Sequence, residues 1–329
     1  MLTRAMKFVG RKMVKYAPFE STSRLLSMVP DSILYANAPL VLAVEPTSRC
    51  NLKCPLCLRE TMTRETGNMS FETFKNLVDG LPRKTETIEL FGQGEPFMCP
   101  DLFKMIKYAE GKGIKVKISS NTTIIDKFLP QIFESGLSHL IVVLDGATAQ
   151  AHEFYRIGSN FNTTVENIQK ICAYKKENGF DKPIITLQTL VMKSNEHQLA
   201  DIVKMAREFG VDHMIFKTIS IGAYKDIKEK LAKQSIFLPE SRQFIRSVHE
   251  NKKSICYWAW GTNILWNGDV SSCCYDGDGK HVVGNVNEKP FKEIWRSPEY
   301  QKMRRQILRQ ELDICQTCSY SSEININVF

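Results

Sequence analysis

Cys50, Cys54 and Cys57 fall within the stretch Val-Glu-Pro-Thr-Ser-Arg-Cys-Asn-Leu-Lys-Cys-Pro-Leu-Cys of residues 44–57. Three thiolates in one short loop can hold a metal centre, but they stop one ligand short of the four that closed zinc and iron–sulfur sites take. The open coordination position would admit a ligand that reacts. A plainer reading of the same spacing is an incomplete zinc knuckle or a set of reduced thiols. An apolar run at 41–44 leads into the loop, so the cysteines should sit just past the C-terminal end of a strand, where α/β folds build active sites.

A second set lies near the other end of the chain: Cys256, Cys273, Cys315 and Cys318. Asn267-Gly268-Asp269 between the runs 263–266 and 270–273 reads as a β-hairpin turn, which would carry Cys273 back beside the strand that follows Cys256. Four thiolates suffice to close a site, although they do not by themselves separate zinc from iron–sulfur. Cys274 has three readings: a spare ligand, a hydrogen-atom donor to a substrate radical, or a buried apolar thiol, the last being the commonest fate of a free cysteine. Cys99 and Cys172 read as packing residues.

Between the two sets runs a βα rhythm. Strands are expected at 41–45, 87–91, 115–119, 140–145, 184–192 and 213–218, with helical patterns at 70–79, 101–111, 164–178 and 198–209. Ser70 with Thr73 and Pro100-Asp101 are helix starts, and Gly111, Gly179 and Gly210 are helix stops. Six βα units in succession imply a parallel sheet, either doubly wound or curled into a barrel. Residues 225–254 are charged and helical without strand rhythm, and read as a link to a second unit.

The strand ends carry further polar groups. After the second strand comes Phe91-Gly92-Gln93-Gly94-Glu95-Pro96, in which glycines permit close backbone approach to a ligand and Glu95 adds a fixed charge. Ser119-Ser120-Asn121-Thr122 ends the third strand with short side chains that suit ribose hydroxyls, or helix capping and turns equally well. Val142-Val143-Leu144-Asp145-Gly146 ends the fourth, with Arg156 eleven residues beyond Asp145. Gln188 on the fifth strand reads as a satisfied core amide.

The spacing Cys50-xxx-Cys54-xx-Cys57, with Leu56 before the last cysteine, resembles the signature loop of the radical S-adenosylmethionine (radical SAM) superfamily. The resemblance implies that these cysteines hold a [4Fe–4S] cluster whose fourth iron binds the amino and carboxylate groups of SAM. One electron would then cleave SAM to methionine and a 5′-deoxyadenosyl radical. Phe91–Pro96 resembles the family's GGEP motif, with Gln93 where the first glycine is commonest, and it implies that Gly92, Gly94 and Glu95 meet the SAM ammonium. Ser120 and Asn121 stand where the family binds ribose. The 143–156 segment looks like the S-x-D-G…R segment of SPASM-type members, with Val143 in place of the serine and Arg156 a candidate for the SAM carboxylate or the substrate. The C…GxxxxC…CxxC pattern resembles the SPASM/twitch domain, implying one fully ligated auxiliary [4Fe–4S] cluster on Cys256, Cys273, Cys315 and Cys318.

The fold implied is α/β: a partial (β/α)6 barrel followed by a small α+β Cys-rich auxiliary-cluster domain. The division expected is a basic amphipathic arm at 1–40, the barrel at 41–235 and the auxiliary domain at 236–329.

Composition agrees with a globular chain. Of 329 residues, 43% are hydrophobic and 24% charged, no run of 18 apolar residues suggests a membrane span, and no signal peptide is evident. Ten cysteines grouped in this way suit metal ligation in a reducing compartment, so the cytoplasm is expected. The net charge of +8 owes five charges to Arg4, Lys7, Arg11, Lys12 and Lys15, and elsewhere the charges are mixed, which argues against nucleic acid. Residues 1–19 form a basic amphipathic pattern that either covers the barrel or lies on an anionic membrane surface, and the second reading points toward a lipid-linked substrate.

With two clusters, the expected chemistry is hydrogen-atom abstraction completed as a two-electron oxidation of a sugar, aminocyclitol or lipid-linked substrate. A flavodoxin- or ferredoxin-like reductant would supply the first electron. Asp276 is the candidate base, against the alternative of a turn aspartate. Tyr257, Trp258 and Trp260 would line a pocket or serve as core. The rival readings are an epimerase, a peptide-modifying maturase that forms C–C or C–S bonds, and a non-catalytic zinc or electron-transfer protein.

Overall fold

The computed structural model describes residues 38–219, 232–233, 235–245, 256–271, 273–316, 318 and 325–329. The basic pattern of residues 1–19 lies outside them, as does most of the 225–254 link.

Strands β1 (Val41–Val44), β2 (Thr87–Glu89), β3 (Lys115–Ser120), β4 (His139–Val143), β5 (Ile184–Val191) and β6 (His213–Thr218) follow one another across the sheet, each parallel to the next. Helices α1 (Phe71–Asp79), α2 (Leu102–Gly111), α3 (Leu129–Glu134), α4 (Ala149–Tyr155), α5 (Phe161–Glu177) and α6 (Leu199–Phe209) connect them. Parallel pairing requires such crossovers, and the helices bury one face of the sheet.

Side chains alternate accordingly. Leu42, Val44, Ile88, Leu90, Val116, Ile118, Leu140, Val142 and Leu187 join the main core with Phe74 and Leu77 of α1. Phe74 and Leu77 are fully buried, a gain of about 2 kcal/mol each over exposure. On the other face Lys117, His139, Ile141, Thr186, His213 and Ile215 line a cleft of 330 Å³, and this mixed surface is the barrel lumen.

Local signals end the helices where expected. Ser70 caps α1 by accepting the Thr73 N–H at 3.0 Å. Gly210 closes α6 at φ +76°, a conformation that glycine adopts at little cost. Gly111 is instead the last residue of α2, and the left-handed turn falls on Gly113.

The second half of the chain continues the same sheet. β7 (Gly261–Ile264) pairs in parallel with β1, and β8 (Asp269–Ser271) and β9 (Val282–Asn285) extend the sheet antiparallel beyond it. Gly268 makes the β7–β8 turn at φ +93°. Helices α7 (Phe291–Arg296), α8 (Pro298–Leu308) and α9 (Asp313–Gln316) follow. β10 (Asn325–Asn327) then returns to pair antiparallel with β6. Among the described residues the strand order is β10-β6-β5-β4-β3-β2-β1-β7-β8-β9, an open sheet whose outer strands do not meet. The region 236–329 therefore contributes strands to both edges of the barrel sheet.

Candidate active site and auxiliary metal centre

The chain leaves β1 at the C-terminal rim and forms the loop of the first three cysteines. Its entry is braced by the returning segment. Thr47 Oγ1 donates to the Asn68 side chain at 2.6 Å, the Met69 N–H reaches Pro46 O at 2.8 Å, and Gly67 N–H donates to Ser48 Oγ at 2.9 Å. Cys54 is buried, while Cys50 and Cys57 are half-buried. Leu56 packs with Leu52, Cys54 and Tyr155 in an apolar wall behind the cysteines.

The glycine loop clamps onto this loop. Glu95 N–H donates to Arg49 O at 2.8 Å, and a Cβ on Gly94 would collide with the carbonyl oxygens of Thr47 and Arg49. Gly94 is thus required by close backbone approach. At Gly92 an added Cβ would press on the Glu45 side chain at 3.0 Å.

Glu95 is 2% exposed. Its carboxylate accepts Ser120 Oγ at 2.9 Å, the Asn121 N–H at 2.7 Å and the Phe97 N–H at 3.3 Å. Burial nevertheless pushes its pKa up to about 7, and among the described residues no salt bridge reaches it. Such a carboxylate suits a cationic ligand. Ser120, at 1% exposure, spends its hydroxyl on Glu95. Asn121 turns its amide toward Asn51 Oδ1 at 2.8 Å and Cys50 Sγ at 3.7 Å.

Arg156 follows α4, and its Nε donates to Asp145 Oδ2 at 2.6 Å while Nη1 lies 3.7 Å from Cys54 Sγ. Asp145 is fully buried and is held by the Leu190 N–H at 2.7 Å. The eleven-residue interval between Asp145 and Arg156 is therefore a direct contact.

The second cysteine set also converges. Cys256, Cys273, Cys315 and Cys318 lie near enough to perturb one another electrostatically. Burial, with the neighbouring thiols acting the same way, pushes Cys256 up to about 12 and Cys315 to about 11, and holds Cys273 well above the ordinary thiol range. In the first set burial raises Cys50 and pushes Cys57 to about 11. Buried thiolates in such numbers need a cationic centre, so both sets fit metal ligation. Among the described residues no three His, Cys, Asp or Glu side chains converge closely enough to hold a single metal ion.

Two residues missed in the sequence, Glu45 and Arg64, join the rim. Arg64 Nη2 meets both Glu45 oxygens at 2.8 and 2.6 Å, and its Nε donates to Gly277 O at 2.5 Å. Asp278 accepts the Thr63 N–H at 2.6 Å, and Gln93 Nε2 donates to Cys274 O at 3.2 Å. Asp276 is buried, and its carboxylate accepts Ser271 Oγ, Lys280 N–H and His281 N–H at 2.9, 2.8 and 2.9 Å. These bonds hold the auxiliary loop in shape and leave Asp276 the geometry of a buried turn aspartate. Trp258 is buried, and half-buried Trp260 packs near Met303 and Ile307. Cys99 and Cys172 lie in the main core, and Cys274 is half-buried.

The family model described as the radical SAM superfamily matches residues 44–216. The chain belongs to this superfamily. A second model, the SPASM iron–sulfur cluster-binding domain, matches residues 256–319. The radical SAM domain binds a [4Fe–4S] cluster and SAM, and the SPASM domain binds auxiliary iron–sulfur. Cys50, Cys54 and Cys57 would hold the first cluster, and Cys256, Cys273, Cys315 and Cys318 the second.

A tungsten-containing aldehyde ferredoxin oxidoreductase cofactor-modifying protein of Pyrococcus furiosus is 26% identical, covering 84% of this chain and 86% of that protein. An AdoMet-dependent heme synthase of Oleidesulfovibrio alaskensis is 30% identical, covering 79% of this chain and 75% of that protein. The radical SAM fold is shared with BtrN in complex with AdoMet and 2-DOIA at a TM-score of 0.56 and 18% identity, covering 86% of this chain and 93% of that one. Streptococcus suis SuiB bound to S-adenosylmethionine gives 0.60 at 16% identity, covering 92% and 77%. No helix among the described residues is long and apolar enough to cross a membrane.

Proposed function

We propose that this radical SAM protein oxidises its substrate by two electrons: a hydrogen atom would leave carbon, a second electron would pass to the auxiliary cluster when that cluster is bound, and the proton left on the oxidised group would go to solvent. When bound and reduced by an external flavodoxin- or ferredoxin-like donor, the first cluster and SAM supply a 5′-deoxyadenosyl radical that abstracts hydrogen. The carrying observation is that Cys273, electrostatically close to Cys256 and Cys318, lies on a segment that is tied to the SAM-side rim through Cys274, Gly277 and Asp278. Four protein ligands leave a cluster no open position for substrate, which suits it to electron transfer.

The chain's own residues do the rest. Glu95 receives the SAM ammonium, Gly94 lets the backbone close around it, and Arg156, held by Asp145, offers positive charge beside Cys54. Val143 offers no hydroxyl to SAM. The candidate substrates are a sugar, an aminocyclitol or a lipid-linked compound. The names of the relatives add a tetrapyrrole or another cofactor precursor. Membrane association through residues 1–19 is part of this reading only for a lipid-linked substrate.

The test is mass spectrometry of the reduced, reconstituted enzyme with SAM and deuterium-labelled candidates of these classes. Transfer of deuterium into 5′-deoxyadenosine, with a product lighter by two hydrogen atoms, is expected. A product isobaric with the unlabelled substrate in H2O, and heavier by one deuterium in D2O, would establish an epimerase instead.

A further inference from the structure

Of the polar contacts between the two cluster-binding regions, one comes from a residue where the sequence departs from the GGEP pattern. Gln93 lies between Gly92 and Gly94, and its Nε2–H donates to Cys274 O at 3.2 Å. Cys274 directly follows Cys273, a ligand of the auxiliary centre. A glycine at 93 would have no side chain with which to make this bond.

Both ends of the contact are held by further hydrogen bonds. On the SAM side the 92–95 backbone is pinned by the Glu95 N–H bond to Arg49 O at 2.8 Å and by the close approach of Gly94 to the Thr47 and Arg49 carbonyls. On the auxiliary side Asp276 N–H donates to Cys273 O at 3.0 Å, and the Asp276 carboxylate draws in Ser271, Lys280 and His281. The folded loop is docked again farther along, where Arg64 Nε reaches Gly277 O at 2.5 Å and Asp278 accepts the Thr63 N–H at 2.6 Å. Gln93 is two residues from Glu95, and its partner Cys274 is next to Cys273. A displacement of the 92–95 loop is therefore delivered to the peptide next to a cluster ligand, and hydrogen bonding and position around cluster sulfurs set reduction potential.

We propose that Gln93 is a positioning residue that couples the two sites, so that filling the SAM site beside Glu95 alters the reduction potential of the auxiliary cluster through the Gln93–Cys274 hydrogen bond. By linkage, the auxiliary oxidation state alters SAM affinity by the same factor. This inference rests on the two cofactor sites and not on which substrate is oxidised.

The test is potentiometric EPR of the two-cluster protein with and without SAM, in the parent, Gln93→Gly and Gln93→Glu. The auxiliary signal is identified as the one missing from Cys256→Ala. In the parent, SAM is expected to shift the auxiliary midpoint. In both variants that shift is lost, while SAM still changes the signal of the first cluster. Gln93→Glu keeps the side-chain length and removes the donor, so it carries the comparison if Gln93→Gly fails to load iron. An auxiliary midpoint indifferent to SAM in the parent, or an undiminished shift in Gln93→Glu, overturns the proposal.

Discussion

Asp145 holds Arg156 by a 2.6 Å bond to Nε, and the far side of the same guanidinium stands 3.7 Å from the sulfur of Cys54. A cation fixed beside a cluster ligand stabilises the more negative, reduced form of the cluster and so raises its potential. Arg156→Met is expected to make the first cluster harder to reduce, by on the order of 100 mV for a unit charge several ångströms away at an effective permittivity of ~20. A redox titration followed by EPR reads this shift. An unchanged or more positive midpoint would contradict it.

Glu95 is the buried anion proposed to meet the SAM ammonium. Removing its charge in Glu95→Gln forfeits a charge-assisted hydrogen bond of about 2 kcal/mol, so SAM should bind roughly thirty-fold more weakly. Equilibrium dialysis with labelled SAM measures the change. Equal affinity in parent and variant would remove Glu95 from the site.

The Glu45–Arg64 pair is nearly dry, with side-chain exposures of 1% and 14%. Breaking it in Arg64→Ala leaves a buried carboxylate without its partner and should cost about 3–5 kcal/mol. Replacing both members by leucine should recover most of that loss, because an apolar pair leaves no buried charge. Urea denaturation under anaerobic conditions checks both variants. Two single-residue losses that simply add in the double variant would show that the pair is not coupled.

Burial holds His152 down at about 4, despite the opposing charge of Asp145, and its Nδ1 accepts the Asp145 N–H at 3.1 Å. The unfolded chain, with a histidine pKa of about 6.5, takes up this proton first. Stability from the neutral ring is therefore complete above about 6.5 and declines as pH falls toward 4, by on the order of 3 kcal/mol. His139, also held at about 4 by burial and Lys117, acts in the same direction. His152→Gln keeps an acceptor for Asp145 and should flatten the fall of stability between these pH values. A slope as steep as that of the parent would assign it to other groups.

Much of the barrel could be read from the chain, because the strands carry apolar runs or alternations and several helices their own start or stop, although the helices at Leu129–Glu134 and Ala149–Tyr155 were not read. The expected 213–218 strand has the observed bounds, and the helices at 70–79 and 198–209 are each one residue longer at the start than observed. Long-range pairings were less legible. Asn325–Asn327 is a three-residue strand with no periodicity to detect, and only its partner β6 makes it one. The parallel pairing of β7 with β1 depends likewise on tertiary packing. At the site, cysteine spacing singled out both candidate ligand sets, yet Glu45 and Arg64 are 19 residues apart and belong to no motif. Gln93 stood out as a departure from a pattern, but its partner lies 181 residues away.

The central claim is that Cys50, Cys54 and Cys57 hold a cluster with an open iron at which SAM is cleaved. It is tested most directly by measuring 5′-deoxyadenosine formed by the reconstituted, reduced protein with SAM, beside Cys54→Ala treated identically. Formation by the parent and its loss in the variant are predicted. A parent that forms none, or a variant that forms as much, would contradict the account.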